Sequence, residues 1–423
     1  MTTTYGNETQ RHYSSSSSLA PHGMEPTRVI PAGRSRPSVP SFGQVGTDIY
    51  GAVRAQQVAA ATRPDTVLLL TVVAMLVLGL IMVQSASQFV NPLDPTAFAR
   101  RDALWIALGV VVLAVTSQID YHLWRRVAVP GIVVAVALSA LVLRMGISVG
   151  GAQRWLALGS SFSFQPSEIA KLAFILFAAD HLTHQRAPWS PWRFLPVALA
   201  ALALLSLVLL QNDLGTTMIL AACAFVVCIM AGVAWWPMLL ATAGALGAGM
   251  LAIAATPFRR ARITAFLHPL RCDLTNSYHI CQSLIALGSG GILGRGLGGG
   301  LEKSGYLPAP FTDSIYAVIG EELGFWGALL VLIFVALLLW RGLRTARQAP
   351  DAFGTLMASG ITCWLVVQAS LNIGSSIAAL PFTGVPLPFI SFGGSSLVVS
   401  LAAVGVLLNI SAQNAGHAAK QVR

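Results

Sequence analysis

Ten apolar runs, each near the length that crosses a lipid bilayer, recur between residues 66 and 411. They cover about 66–87, 103–118, 128–144, 167–182, 194–210, 215–232, 237–255, 315–340, 354–375 and 394–411. A helix needs ~20 apolar residues to span the hydrocarbon core, and in lipid each backbone amide must find its partner within protein. The pattern predicts an all-α polytopic membrane protein of about ten transmembrane helices, with a large loop, 256–314, between the seventh and eighth. Composition agrees, since 55% of the 423 residues are hydrophobic and only 10% charged, more apolar surface than a soluble chain can hide. Residues 1–64 stand apart. They are rich in Ser, Pro, Gly, Thr and Arg and hold no apolar run, so they read as a disordered tail rather than a signal peptide. A short tail, 412–423, follows the last run.

The net charge of +10 does not point to nucleic acid, because its distribution follows the membrane. Arg28, Arg34, Arg36, Arg54 and Arg63 precede the first run. Arg125 and Arg126, Arg186 and Arg193, then Arg341, Arg344 and Arg347 occupy alternate loops, with Lys420 and Arg423 at the end. Cytoplasmic loops collect Lys and Arg, so both termini are expected in the cytoplasm. The outer loop breaks this pattern with Arg259, Arg260, Arg262, Arg271, Arg295 and Lys303. Either the loop is a solvated surface, or "FRRARITAF" sets three arginines where a phosphate headgroup would lie. Five cysteines include no CxxC or Cys/His cluster, which argues against a structural zinc. Cys272 and Cys281 bracket a polar stretch of the same loop and form a candidate disulfide.

Four stretches place chemistry at the membrane edge. In "GGAQRWLALGSSFSFQPSEIAKLAFILFAADHL", Glu168 and Lys171 are neighbours on one helix face near Arg154; they read as a buried pair or as a headgroup site. In "QNDLGTTMIL", Asp213 reads as a cap for the following helix or as a site residue. The glycine-dense "GSGGILGRGLGGG" lacks the GK[ST] of a nucleotide loop; it is a hinge, or a run of amides able to approach an anion. In "GYLPAPFTDSIYAVIGEELG", Thr312 or Asp313 could cap the next helix. A helix begun there would put Glu321 about 80° round from Asp313 and ~12 Å deeper, with Glu322 nearly opposite. Asp313 then stays at the interface, as cap or catalyst, while the two glutamates need partners in the bundle.

Taken in order with "PLPFISFGGSSLVVSLAAVGVLLNIS", these motifs resemble the SEDS family over residues 65–411, and within it the FtsW branch above all, although "GVPLPFISFGGSS" is similar to RodA and SpoVE. FtsW, RodA and SpoVE polymerise bacterial cell-wall glycan. The resemblance implies a glycosyltransferase at the outer face of the bacterial cytoplasmic membrane, acting in cell division or, alternatively, in elongation. Its substrate would be lipid II, a disaccharide-pentapeptide on a polyprenyl pyrophosphate. Asp313 falls on the family's proposed acid, as general base for the acceptor hydroxyl. Arg154, Glu168, Lys171, Asp213, Arg259, Arg260, Arg262 and Lys303 become candidate substrate-binding residues. Arginines or a divalent cation, Mg2+ or Mn2+, would offset the charge of the leaving pyrophosphate. The implied partners are a class B penicillin-binding protein and other division proteins. A lipid II flippase is the rival reading, since Glu168 and Lys171 would also suit a transport path.

Overall fold

The computed structural model describes residues 64–421, apart from 91–92, 150–151, 158–162, 184–190 and most of 234–276. The tail 1–63, the run expected at 237–255, and Arg259, Arg260 and Arg262 lie outside the described residues. The other nine expected runs are helices: α1 (Thr66–Ser87), α2 (Ala97–Gln118), α3 (Arg125–Met145), α4 (Pro166–Thr183), α5 (Pro191–Leu210), α6 (Leu214–Met230), α8 (Ile315–Gln348), α9 (Ala352–Ser376) and α10 (Gly394–Gln421). Between α6 and α8 the outer loop holds a further helix, α7 (Tyr278–Gly290), which was not among the expected runs. Among the described residues, five helices are long and apolar enough to cross a membrane: Thr66–Ser87, Tyr121–Met145, Ile315–Gln348, Ala352–Ser376 and Gly394–Gln413.

Aspartates start several helices and also tie them together. Asp65 accepts from Leu68 N at 3.0 Å, Asp213 from Thr216 N at 3.1 Å and Asp351 from Gly354 N at 2.9 Å, each satisfying an amide that a helix start leaves orphaned. Asp65 is also paired with Arg341 of α8 at 2.6 Å, and Asp351 with Arg125 of α3 at 3.1 Å. Helix α8 runs past its apolar stretch to carry Arg341, Arg344 and Arg347, and α10 extends through the expected tail to Gln421.

Helix α9 is the most enclosed of the spanning helices, 78% of its apolar window being buried against 28% for α8. Its polar side chains Gln368 and Asn372 are therefore aimed into protein, where each must be hydrogen-bonded. Close approach uses small residues: a Cβ on Gly405 of α10 would strike Thr116 Oγ1 of α2, the kind of contact that packs membrane helices. Between α3 and α4 the chain forms a small antiparallel sheet, β1 (Ile147–Val149), β2 (Ala152–Ala157) and β3 (Ser163–Phe164), in the order β1-β2-β3. It carries Arg154.

Candidate active site

Helix α8 starts at Ile315, with Ser314 as N-cap and no side-chain capping bond. This corrects the expected cap at Thr312 or Asp313, and Asp313 sits half-buried just outside the helix. Its Oδ2 lies 3.4 Å from the position a Cβ on Gly384 would occupy; Arg154 Nη1 lies 3.7 Å and Phe382 3.8 Å from that same point. Gly384 has φ +68°, a backbone conformation that favours glycine. Arg154 is aimed by the turn before α6: Nη2 donates to the Asn212 carbonyl at 3.1 Å, and Nε is 3.8 Å from Asp213 Oδ2. Asp213 is itself fixed, accepting from Thr216 Oγ1 at 2.9 Å and Gln165 Nε2 at 3.1 Å. The structure thus brings Asp313, Arg154 and Asp213 into one constellation.

Residues not singled out from the sequence complete it. His279, at the start of α7, packs against Phe382 with centroids 4.0 Å apart and planes tilted by 36°, and has Nδ1 3.4 Å from Ser314 Oγ. Beneath Asp313 runs the proline-rich segment 380–393, joined to it by Phe392 N, which donates to the Phe311 carbonyl at 3.0 Å. Among the described residues, the non-glycine positions with positive φ are Asn212, Ala309, Ala378 and Phe389. All four lie in the turns that build this site, where strain is commonly stored. An apolar groove of about 270 Å3, lined by Leu287, Tyr316, Phe325, Leu329, Leu332 and Ile377, runs along α7 and α8.

Glu168 and Lys171 connect to segment 380–393 through Gln368, whose Nε2 donates to the Pro386 carbonyl at 3.0 Å. Both are almost wholly buried, with Lys171 Nζ 2.8 Å from Glu168 Oε2 and donating at 2.8 Å to Gln368 Oε1. Trp364 Nε1 donates to the same oxygen at 2.8 Å, and its ring lies 4.7 Å beneath the ammonium. The pair links α4 to α9.

Lys303, a candidate substrate-binding residue in the sequence, is 2% exposed, with Nζ 2.6 Å from Glu322 Oε1 and donating to Ser85 Oγ at 2.8 Å. Its charge is spent within the fold, and we assign it there. The glycine-dense loop does approach anions, and they are the chain's own. Gly298 N donates to Glu322 Oε2 at 3.1 Å, and Leu301 N to Glu321 Oε1 at 2.7 Å. The same loop repairs a break in α8. At Gly324 (φ 66°) the helix is interrupted; Arg295 N and Gly296 N then donate to the carbonyls of Glu321 and Glu322, and Phe325 N donates to Gly291 O. Backbone groups freed at membrane depth must be satisfied inside protein, and this loop does so.

Cys272 and Cys281 are joined by a disulfide, their Cα atoms 5.6 Å apart, which ties the loop to the first turn of α7 beside His279. Among the described residues, no three metal-ligating side chains come together.

Comparison with known proteins places this geometry. The chain is 39% identical over 359 residues to stage V sporulation protein E of Bacillus subtilis, spanning 83% of this chain and 97% of that protein. It is 40% identical over 362 residues to a probable peptidoglycan glycosyltransferase FtsW of Trichlorobacter lovleyi, spanning 82% and 93%. Its fold matches a chain solved in work on the structural coordination of polymerization and crosslinking by a peptidoglycan synthase complex, with TM-score 0.69, 29% identity and coverage of 82% and 97%. It also matches the rod shape determining protein RodA of Thermus thermophilus, with TM-score 0.63, 28% identity and coverage of 82% and 96%. The family model for the FtsW, RodA and SpoVE cell cycle proteins covers residues 65–416, and the chain belongs to that family.

Proposed function

We propose that this protein is a peptidoglycan glycosyltransferase that polymerises lipid II at the outer face of the bacterial cytoplasmic membrane, in cell division. The observation that carries the reading is the convergence of the Asp313 carboxylate and the Arg154 guanidinium on Gly384, at the height of the lipid headgroups. That height follows from α1. Its start, Asp65, pairs with Arg341, and near its end Ser85 donates to Glu322 at 2.7 Å. Twenty helical residues between these contacts cover ~30 Å, the thickness of a hydrocarbon core. Asp313 precedes Glu322 by about two turns of helix, so it stands beyond the hydrocarbon. The arginines at the Asp65 end mark the cytoplasmic side, in keeping with ten spans, both termini inside, and the loop between helices seven and eight outside.

Asp313 acts as general base. It takes the proton of the acceptor sugar hydroxyl while that oxygen bonds to the donor's anomeric carbon and the bond from that carbon to the pyrophosphate oxygen breaks. Arg154, held by Asp213 and the Asn212 carbonyl, offsets the charge gathering on the leaving group. Arg259, Arg260 and Arg262 supply further positive charge from the loop. The groove along α7 and α8 takes part of the polyprenyl chain. A class B penicillin-binding protein crosslinks the product. The test is polymerisation of labelled lipid II by the purified protein, alone and with such a partner. Glycan from the wild type and none from Asp313→Asn supports the assignment; equal glycan from both removes Asp313 as base.

A further inference from the structure

The carbonyls just before α8 have lost their helical donors. Ala317 N and Val318 N both donate to Ser314 O, at 3.0 and 3.3 Å, so the helix closes on Ser314 and leaves the carbonyls of Thr312 and Asp313 outside its ladder. Buried carbonyls require partners, and two side chains from other elements supply them. Asn372 of α9, 1% exposed, donates through Nδ2 to the Asp313 carbonyl at 2.9 Å and to the Val385 carbonyl at 2.8 Å. Ser391 Oγ donates to the Thr312 carbonyl at 2.6 Å and accepts from Leu387 N at 2.8 Å.

The orientation of the Asn372 amide follows from its surroundings, since reversing it would aim an oxygen at two carbonyl oxygens. Both its hydrogens are thereby committed, one to the residue bearing the carboxylate and one to the residue after Gly384. The same amide thus fixes Asp313 relative to the point where Arg154 converges. Helix α9 is the most enclosed of the five spanning helices among the described residues, so the clamp ties the backbone of Asp313 to a helix packed on most of its sides.

We propose that Asn372, seconded by Ser391, is the positioning residue of the active site. It touches no substrate; it holds the Asp313 carboxylate at the height and angle at which it meets the acceptor hydroxyl. The inference rests on the glycosyltransferase reading above. A displacement of about 1 Å at a reacting group costs up to about 100-fold in rate, so the effect belongs in kcat rather than in substrate binding.

The experiment compares Asn372→Ala with Asn409→Ala in lipid II polymerisation, with rates normalised to folded protein. Asn409 is an equally placed control: 8% exposed, it accepts from Tyr121 N at 3.0 Å and donates to Ser117 O at 2.9 Å, at the opposite end of the bundle. Asn372→Ala is expected to lower kcat about 10- to 100-fold with KM for lipid II unchanged, while Asn409→Ala loses stability and keeps kcat. Ser391→Ala repeats the test with a smaller loss in kcat, and serves alone if Asn372→Ala does not fold. Unchanged kcat in the folded variants, or the same loss in Asn409→Ala, overturns the proposal. A wild type that makes no glycan overturns the glycosyltransferase reading instead.

Discussion

Asp313 and Glu322 lie nine residues apart in one segment, yet they meet opposite surroundings. Asp313 is half-buried outside the helix, facing an arginine across Gly384. Glu322 is fully buried, and Lys303, Ser85 and Gly298 N surround its carboxylate. A carboxylate at the membrane edge is thus no sign of function by itself. What separates catalyst from strut is whether its partners close around it or leave it facing a space that substrate can enter.

Variants at the two positions should break in different ways. Asp313→Asn removes the proposed base and should cut glycan formation about 10²- to 10⁴-fold while leaving the melting temperature near that of the wild type. Glu322→Gln strands the Lys303 ammonium in a buried site and should cost about 3–5 kcal/mol of stability, read by thermal unfolding in detergent. Glu321→Gln sharpens the contrast within the strut: its amide oxygen still accepts from Leu301 N and Glu302 N, so the loss should be far smaller than at Glu322. A similar loss at both would mean that the Lys303 pair contributes nothing.

The disulfide comes next. Breaking Cys272–Cys281, with sequence separation 9, by a double change to serine should cost about 2–3 kcal/mol on chain entropy, and reductant should reproduce that loss in the wild type alone. The smallest effect concerns Glu302, whose Oε2 lacks a hydrogen-bond partner among the described residues. Burial, then the charge of Glu321, raises its carboxyl above the ordinary glutamate value, against the pull of Arg295. A group whose folded pKa is raised gives stability present below its unfolded pKa and lost as pH rises through the folded one. Glu302→Gln should therefore melt with the wild type in acid and slightly above it near neutral pH.

The spans were legible because each must bring ~20 apolar residues in a row, a requirement the bilayer imposes whatever the tertiary structure. Element ends were less so. Helix α2 begins six residues before its apolar run because Arg100 and Arg101 face outward while Asp102 is buried, and such a split has no signature in a hydropathy pattern. Helix α7, at 13 residues, is too short to register as a span. At the site, Asp313 is legible from its motif, whereas the pairing of Lys303 with Glu322 depends on the loop folding back onto α8. His279, Phe382 and Asn372 are ordinary residues of their segments; only the return of segment 380–393 beneath Asp313 brings them together, and that is long-range information.

The proposed division of one segment into a catalyst, Asp313, and a strut, Glu322, separates activity from stability. It is tested most directly by measuring, for Asp313→Asn and Glu322→Gln together, the melting temperature and the rate of lipid II polymerisation per folded molecule. A crossed result is expected: Asp313→Asn stays folded and loses about 10²- to 10⁴-fold in rate, while Glu322→Gln melts early and keeps its rate below that melting point. An Asp313→Asn variant that polymerises at the wild-type rate, or a stable Glu322→Gln variant that has lost it, would overturn that division of roles.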